Sequence, residues 1–271
     1  MRRLFVAGLL GAAFLAPGPA SAQAVAGDPL ASVMWSTVHA TVLGGGPVVF
    51  DDARVRVFTP QRVEDNHRVP VSVQVEGLAD VREVVVLADH NPIPGALRYA
   101  PAGRAAPFLE LSMKLNEATP IRAAVKTGDG VWHVGGLRVD AAGGGCAAPR
   151  PATASAEWQD NLNRVHGRAW RLPGGGVRLE VRIVHPMDTG LVENIPTFHV
   201  EALSVTQDGR TLATLEPTAA TAENPVFALD LPGASASGDI VVTGRDTDGN
   251  DIRARIPAPD AVYGLLAGRR S

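Results

Sequence analysis

Among 271 residues there is one cysteine, Cys146. An intrachain disulfide is therefore excluded, and so is any Cys-x-x-Cys metal or redox motif. The seven histidines, His39, His67, His90, His133, His166, His185 and His199, never recur at His-x-x-x-His spacing. No metal-ligand set is legible and no cofactor is implied. Lysine is almost missing too, with Lys114 and Lys126 the only two. The other basic residues are scattered arginines and the formal net charge is −3, so no basic face for nucleic acid or an anionic membrane exists. Beyond Leu15 no long apolar run occurs, so no membrane-inserted segment is expected.

What apolar run there is lies at the start. Met1-Arg2-Arg3, then Leu4 to Leu15, then Ala20-Ser21-Ala22 give a basic region, a short hydrophobic region and a small-residue cleavage site. Residues 1–22 are expected to be a secretory signal, by either the general or the twin-arginine route, and the location the periplasm. The mature chain would start near Gln23 with a net charge of −5, once Arg2 and Arg3 leave.

Downstream, Asp28-Pro29 has the form of an N-cap with proline at the first helical position. Leu30, Val33, Met34, Thr37 and Val38 follow at helical spacing, predicting a short helix to about Gly44 on which Trp35 packs against a sheet. From Val48 the period changes to two. Arg54–Phe58, Val69–Val75, Phe108–Leu115, Ile121–Lys126 and Val131–Val139 read as strands. The Val-Val-Val run within Arg82–Leu87 reads as a strand buried on both faces. Residues 141–157 are rich in Ala, Gly and Pro with almost nothing to bury, as in a flexible linker. A second set of strands then runs from Gly167 to Ile256, with Val177–Ile183 in strict apolar/charged alternation. The expectation is an all-β chain of two immunoglobulin-like sandwiches, 27–140 and 158–257, with a short N-terminal helix and a loose tail at 258–271.

Most other candidates have ordinary structural readings. Asp51-Asp52 and Asp246/Asp248 lie in turn settings, and no glycosidase or calcium-loop pattern is complete. Gly44–Gly46 and Gly174–Gly176 are turns, neither opening a helix after a strand. His185-Pro186-Met187-Asp188-Thr189-Gly190 has the chemistry of a strand-to-loop corner, with a contact between the two halves as its functional alternative.

Cys146 stands apart. A free cysteine is ordinarily a small buried hydrophobe. Here Gly143, Gly144 and Gly145 precede it, Pro149 and Pro151 follow, and between Val139 and Trp158 no aliphatic or aromatic side chain exceeds Ala, the prolines apart. That composition predicts a displayed thiol on a slack tether, prone to a disulfide-linked homodimer in air.

A strand pattern running into Gly144-Gly145-Cys146, with His90-Asn91-Pro92 and Leu111-Ser112-Met113-Lys114 before it, resembles SoxY, the sulfur-carrying subunit of periplasmic sulfur oxidation. The second half is similar to its companion SoxZ in Val184–Gly190, Glu223-Asn224-Pro225 and Arg245–Gly249. The resemblance implies a fused carrier and not an enzyme. Cys146 would be the covalent attachment site for sulfur intermediates, and Gly143, Gly144 and Gly145 its arm. The implied partners are sulfur-oxidising enzymes, or quinoprotein and cytochrome proteins of a dehydrogenase system. Ala147-Ala148 replaces the glycines usual after the cysteine and the chain continues, so the arm is tethered at both ends. Two rivals remain: a thiol-dependent oxidoreductase or transferase, and an immunoglobulin-like binding module with an incidental thiol.

Overall fold

Buried and exposed side chains alternate along strands such as Val69–Val75 and Val177–Ile183, whereas Val81–Ala88 and Thr119–Thr127 are buried almost throughout. The computed structural model describes residues 27–103, 106–147, 157–257 and 259. The expected signal at 1–22, most of the 258–271 tail and residues 148–156 of the expected linker lie outside the described residues. Helix α1 (Trp35–Thr41) precedes β1 (Val48–Phe50), β2 (Val55–Phe58), β3 (Arg62–Val63), β4 (Val69–Val75), β5 (Val81–Ala88), β6 (Gly95–Pro101), β7 (Phe108–Met113), β8 (Thr119–Thr127) and β9 (Trp132–Ala141). Helix α2 (Glu157–Asn161) then leads into β10 (Val165–Arg171), β11 (Val177–Ile183), β12 (Asp188–Thr189), β13 (Thr197–Phe198), β14 (Val200–Gln207), β15 (Arg210–Pro217), β16 (Val226–Leu231), β17 (Ile240–Asp246) and β18 (Asp251–Ile256). The all-β expectation of two sheet-rich halves with a short N-terminal helix is met.

The sequence does not show how the halves join. One sheet runs β1-β9-β8-β5-β6-β15-β14-β17-β18, with β3 also on β9, and a second runs β10-β11-β16-β7-β4-β2. Each crosses from one half to the other: Leu97–Pro101 of β6 pairs with Ala213–Pro217 of β15, and Leu109 and Glu110 of β7 pair with Leu229 and Ala228 of β16. Val71, Val86, Leu111, Leu179, Leu215, Phe227, Val242 and Ile252, drawn from both halves, belong to one buried core between the sheets.

Two segments show why residues adopt these positions. In β4 the valines at 69, 71, 73 and 75 are buried while Pro70 is exposed, the period-two pattern of a strand with one face on the core. In β5, Val84 and Val86 face the inter-sheet core, whereas Val85 and Leu87 meet Trp35, Val38 and Leu43 from around α1. That sandwiching accounts for the uninterrupted valine run. Helix α1 starts later than Asp28-Pro29 implies. The Asp28 carboxylate accepts from the amides of Leu30 (3.1 Å) and Ser32 (2.8 Å) in a turn, and Ala31 takes φ +47°. Both Asp28 oxygens also accept from Arg122, whose guanidinium bonds Asp89 as well and lies 4.4 Å from the Trp35 ring centroid. The would-be helix cap is committed instead to a buried ion cluster.

Candidate functional site

Strand β9 ends at Ala141, and the chain then turns on Gly143 (φ +103°) and Gly144 (φ +88°), backbone angles that suit glycine alone. This segment is docked. The Gly144 amide donates to the Asn116 carbonyl (2.9 Å) and the Gly145 amide to the Leu115 carbonyl (2.9 Å). The Asn66 side-chain amide donates to the Gly143 carbonyl (2.7 Å). A Cβ on Gly145 would fall 2.0 Å from the Asn66 carbonyl oxygen and 2.6 Å from that of Leu115. The Gly143–Gly145 run expected as a slack arm thus serves close backbone approach, at least where the structure describes it.

Cys146 follows this pattern, and the expectation of a displayed thiol is corrected: the residue is 2% exposed. Its neighbours in sequence are too small to cover it, as the composition indicated, but cover arrives from distant segments. A cavity of about 20 Å³ beside it is lined by Lys114 and His67 from the first half and by Pro186, Met187, Asp188 and Thr189 from the second. The Thr189 hydroxyl donates to the Cys146 carbonyl at 2.7 Å. Cys146 is no part of either hydrophobic core cluster. It is buried in a seam of loops rather than between the sheets.

Electrostatics make this thiol quiet. Burial pushes its pKa up to about 11, opposed only by the nearby Lys114 ammonium. Since the thiolate is the nucleophile, the docked cysteine is almost wholly in its inert form at neutral pH. Lys114, just past β7, is itself buried and donates to the carbonyls of Met187 and, at 2.9 Å, Ala219. It ties the first half to the second at the floor of the cysteine seam.

The motifs singled out in sequence converge here. Asn91 donates to the Lys114 carbonyl (2.7 Å) and accepts from the Asn116 amide (2.9 Å), bracing the strand end under the arm. The His185 amide and carbonyl both bond Asn224, and the buried His185 ring lies 3.8 Å from Asp246. Burial acts to raise the Asp246 carboxyl, but bonds from Asn250, Asn163 and Asp248 hold it below the usual range. Met187, at φ +52°, then turns the chain so that Asp188-Thr189 pairs with β13 and presents the Thr189 hydroxyl to Cys146. The His185–Gly190 stretch is therefore both the expected corner and the contact between halves. Sequence reasoning missed Asn66, His67 and Thr189 as cover for the cysteine. No motif marks Asn66 or His67, and Thr189 was marked only as part of the His185–Gly190 corner, because cover for the cysteine depends on pairing far along the chain. Among the described residues no group of three or more His, Cys, Asp or Glu side chains could hold a metal, and no helix is long and apolar enough to cross a membrane.

Comparison with known proteins divides the chain at this site. Residues 39–146 match the family model described as sulfur oxidation protein SoxY, and residues 165–257 match that of sulphur oxidation protein SoxZ. Among solved structures, the chain is similar to the sulfur carrier protein SoxY from Chlorobium limicola f thiosulfatophilum. That similarity is 18% identity over 40% of this chain and 96% of that one, with a TM-score of 0.36. No curated protein matches the chain.

Proposed function

This chain belongs to the SoxY and SoxZ sulfur-oxidation family, both domains in one polypeptide, and from that premise we propose that it carries sulfur-containing intermediates bound covalently to Cys146 and presents them to partner enzymes. One observation carries the reading. The SoxY-like stretch ends on the only cysteine in the chain, where a glycine-rich segment leaves β9 and lies in the seam between the halves.

The chemistry asked of the chain is small. With a thiosulfate-type donor, loading joins the Cys146 sulfur to the sulfane sulfur. The thiol and thiosulfate give a cysteine S-thiosulfonate, one proton and two electrons, the electrons leaving through a redox partner of the cytochrome or quinoprotein class. Hydrolysis of the thiosulfonate releases sulfate and leaves a persulfide on Cys146. A redox partner of the same class then takes six electrons from that outer sulfur, which gains three oxygens from water to become a sulfonate. A second hydrolysis releases it as sulfate and returns the thiol. The protein supplies an attachment point and a place to keep it, while acid, base and electron acceptor belong to the partners. A catalytic-thiol reading fits poorly, because such cysteines have a depressed pKa and this one is raised to about 11. Export to the periplasm by residues 1–22 belongs to the same proposal.

The test is intact-mass and peptide mass spectrometry of protein isolated from its native periplasm during growth on reduced sulfur. A series of sulfur adducts confined to the Cys146 peptide is expected, along with loss of sulfur-dependent electron flow in a Cys146→Ser strain whose protein is still folded. A bare thiol under every condition, with the Cys146→Ser strain unimpaired, would overturn the proposal.

A further inference from the structure

The cavity beside Cys146 sets what the docked cysteine can carry. Its volume of about 20 Å³ is close to the room one water molecule needs. A persulfide adds one sulfur atom to the thiol. A sulfonate adds four heavy atoms and a thiosulfonate five, each with a full negative charge. Resting on the carrier reading, we infer that this seat holds the reduced thiol and at most one added atom, so that an oxyanion adduct cannot occupy it and loading releases the 142–147 segment from the seam.

Two of the walls are pinned in place. On one side the Gly145 backbone already lies so close to the carbonyls of Asn66 and Leu115 that not even a methyl group fits between them. On the other, the Pro186–Thr189 turn is fixed by the His185–Asn224 pairing, by Thr189 on the Cys146 carbonyl, and by Lys114 on the Met187 carbonyl. The charged groups lining the cavity are Lys114 and Asp188, of opposite sign, with His67 at the same wall. Lys114 is engaged with two backbone carbonyls, so an arriving sulfonate would compete with bonds that hold the seam together. An ion brought into this seam, where the Lys114 ammonium and the Thr189 hydroxyl already donate to backbone carbonyls, carries a desolvation penalty that only new bonds can offset.

The free carrier would thus keep its thiol covered and unreactive, while the loaded carrier holds its cargo out for the next enzyme. Cargo, not a separate effector, would set the position of the arm. Partners that unload the protein would meet an extended segment, and the product of unloading would return to the seam unaided.

Treating the full chain with tetrathionate tests this: the Cys146 thiolate displaces thiosulfate, leaving the S-thiosulfonate on the protein. Intact mass reports loading, and hydrogen–deuterium exchange reports docking through the amides of Gly144 and Gly145, which the Asn116 and Leu115 carbonyls protect. Loading should lower protection at these amides by about tenfold or more, while the β4 and β5 amides stay unchanged. Excess dithiothreitol, which removes the adduct as thiosulfate, should restore it. Cys146→Asp, a larger and charged occupant needing no chemistry, should lose the same protection, and Cys146→Ser should keep it. A loaded protein that stays protected overturns the inference and leaves the carrier proposal standing. Failure of the native chain to load although the unfolded chain does would count against the carrier proposal. In that case a Cys146→Asp protein with intact protection would still overturn the inference.

Discussion

A methyl group at position 145 separates a slack tether from a docked one. On a free arm, Gly145→Ala would change little. In the structure the new Cβ would sit 2.0 Å from the Asn66 carbonyl oxygen and 2.6 Å from that of Leu115, so the segment cannot seat. The consequence for the thiol follows from its ionisation. Seated, its pKa is about 11 against an ordinary 9.0. At pH 8 the thiolate fraction is then roughly 0.001 when seated and 0.1 when released, about a hundredfold difference. The sign follows too. Because the seated pKa is raised, docking is fully favourable below pH 9 and weakens as pH climbs toward 11. Reaction with a chromogenic aromatic disulfide at pH 8 should run about a hundredfold faster in Gly145→Ala than in wild type, with the two rates converging above pH 11. The variant should form disulfide-linked dimers in air faster, with a thermal midpoint lower by only a few degrees, because the bonds at Gly143, Gly144, Gly145 and Cys146 are lost while the core clusters contain nothing of this segment. Equal thiol reactivity in the two proteins at pH 8 would refute the argument.

Two other places on the molecule give comparably direct expectations. Thr189→Val deletes the 2.7 Å bond to the Cys146 carbonyl, and at about 1 kcal/mol it should raise thiol reactivity about fivefold; an unchanged rate would show that the hydroxyl does not hold the segment. Arg122→Met would strand the carboxylates of Asp28 and Asp89 in a buried site. A cost of about 3–5 kcal/mol is expected, seen calorimetrically as a Tm lower by about 10 °C, and a fall under about 3 °C would contradict the assigned role. In wild type, burial acts to raise the Asp28 carboxyl but Arg122 and the amides of Ser32 and Leu30 outweigh it and hold it below 3.8. Its contribution is thus complete above about pH 4 and lost as pH falls through the lower folded value, so Asp28→Asn should flatten the acid limb of the Tm–pH curve.

The strands were legible wherever period two was clean, as in Val69–Val75 and Val177–Ile183, and the valine run announced β5 as covered on both faces. Asp28-Pro29 misled because an N-cap and a buried counter-ion call on the same carboxylate, and Arg122, its partner, lies 94 positions away. The crossing of both sheets between halves was invisible for the same reason: Leu97–Pro101 carries no mark that its partner is Ala213–Pro217. At Cys146 the composition was read correctly but asked the wrong question. It showed that nothing adjacent could cover the thiol, while Asn66, Lys114, Met187 and Thr189 were out of its view. Glycine adds its own ambiguity, because the residue that loosens a tether also lets two backbones touch. Gly145 turned out to be the second kind.

The paired edges at β6–β15 and β7–β16 leave no pivot between the two parts of the chain. Any enzyme that works on the cargo meets an object of fixed outline, on which a handful of residues after β9 must supply all the reach. Because one polypeptide spans that join, dilution cannot dissociate the arm's half from the half that shelters its sulfur, so each cysteine keeps its own shelter at any concentration.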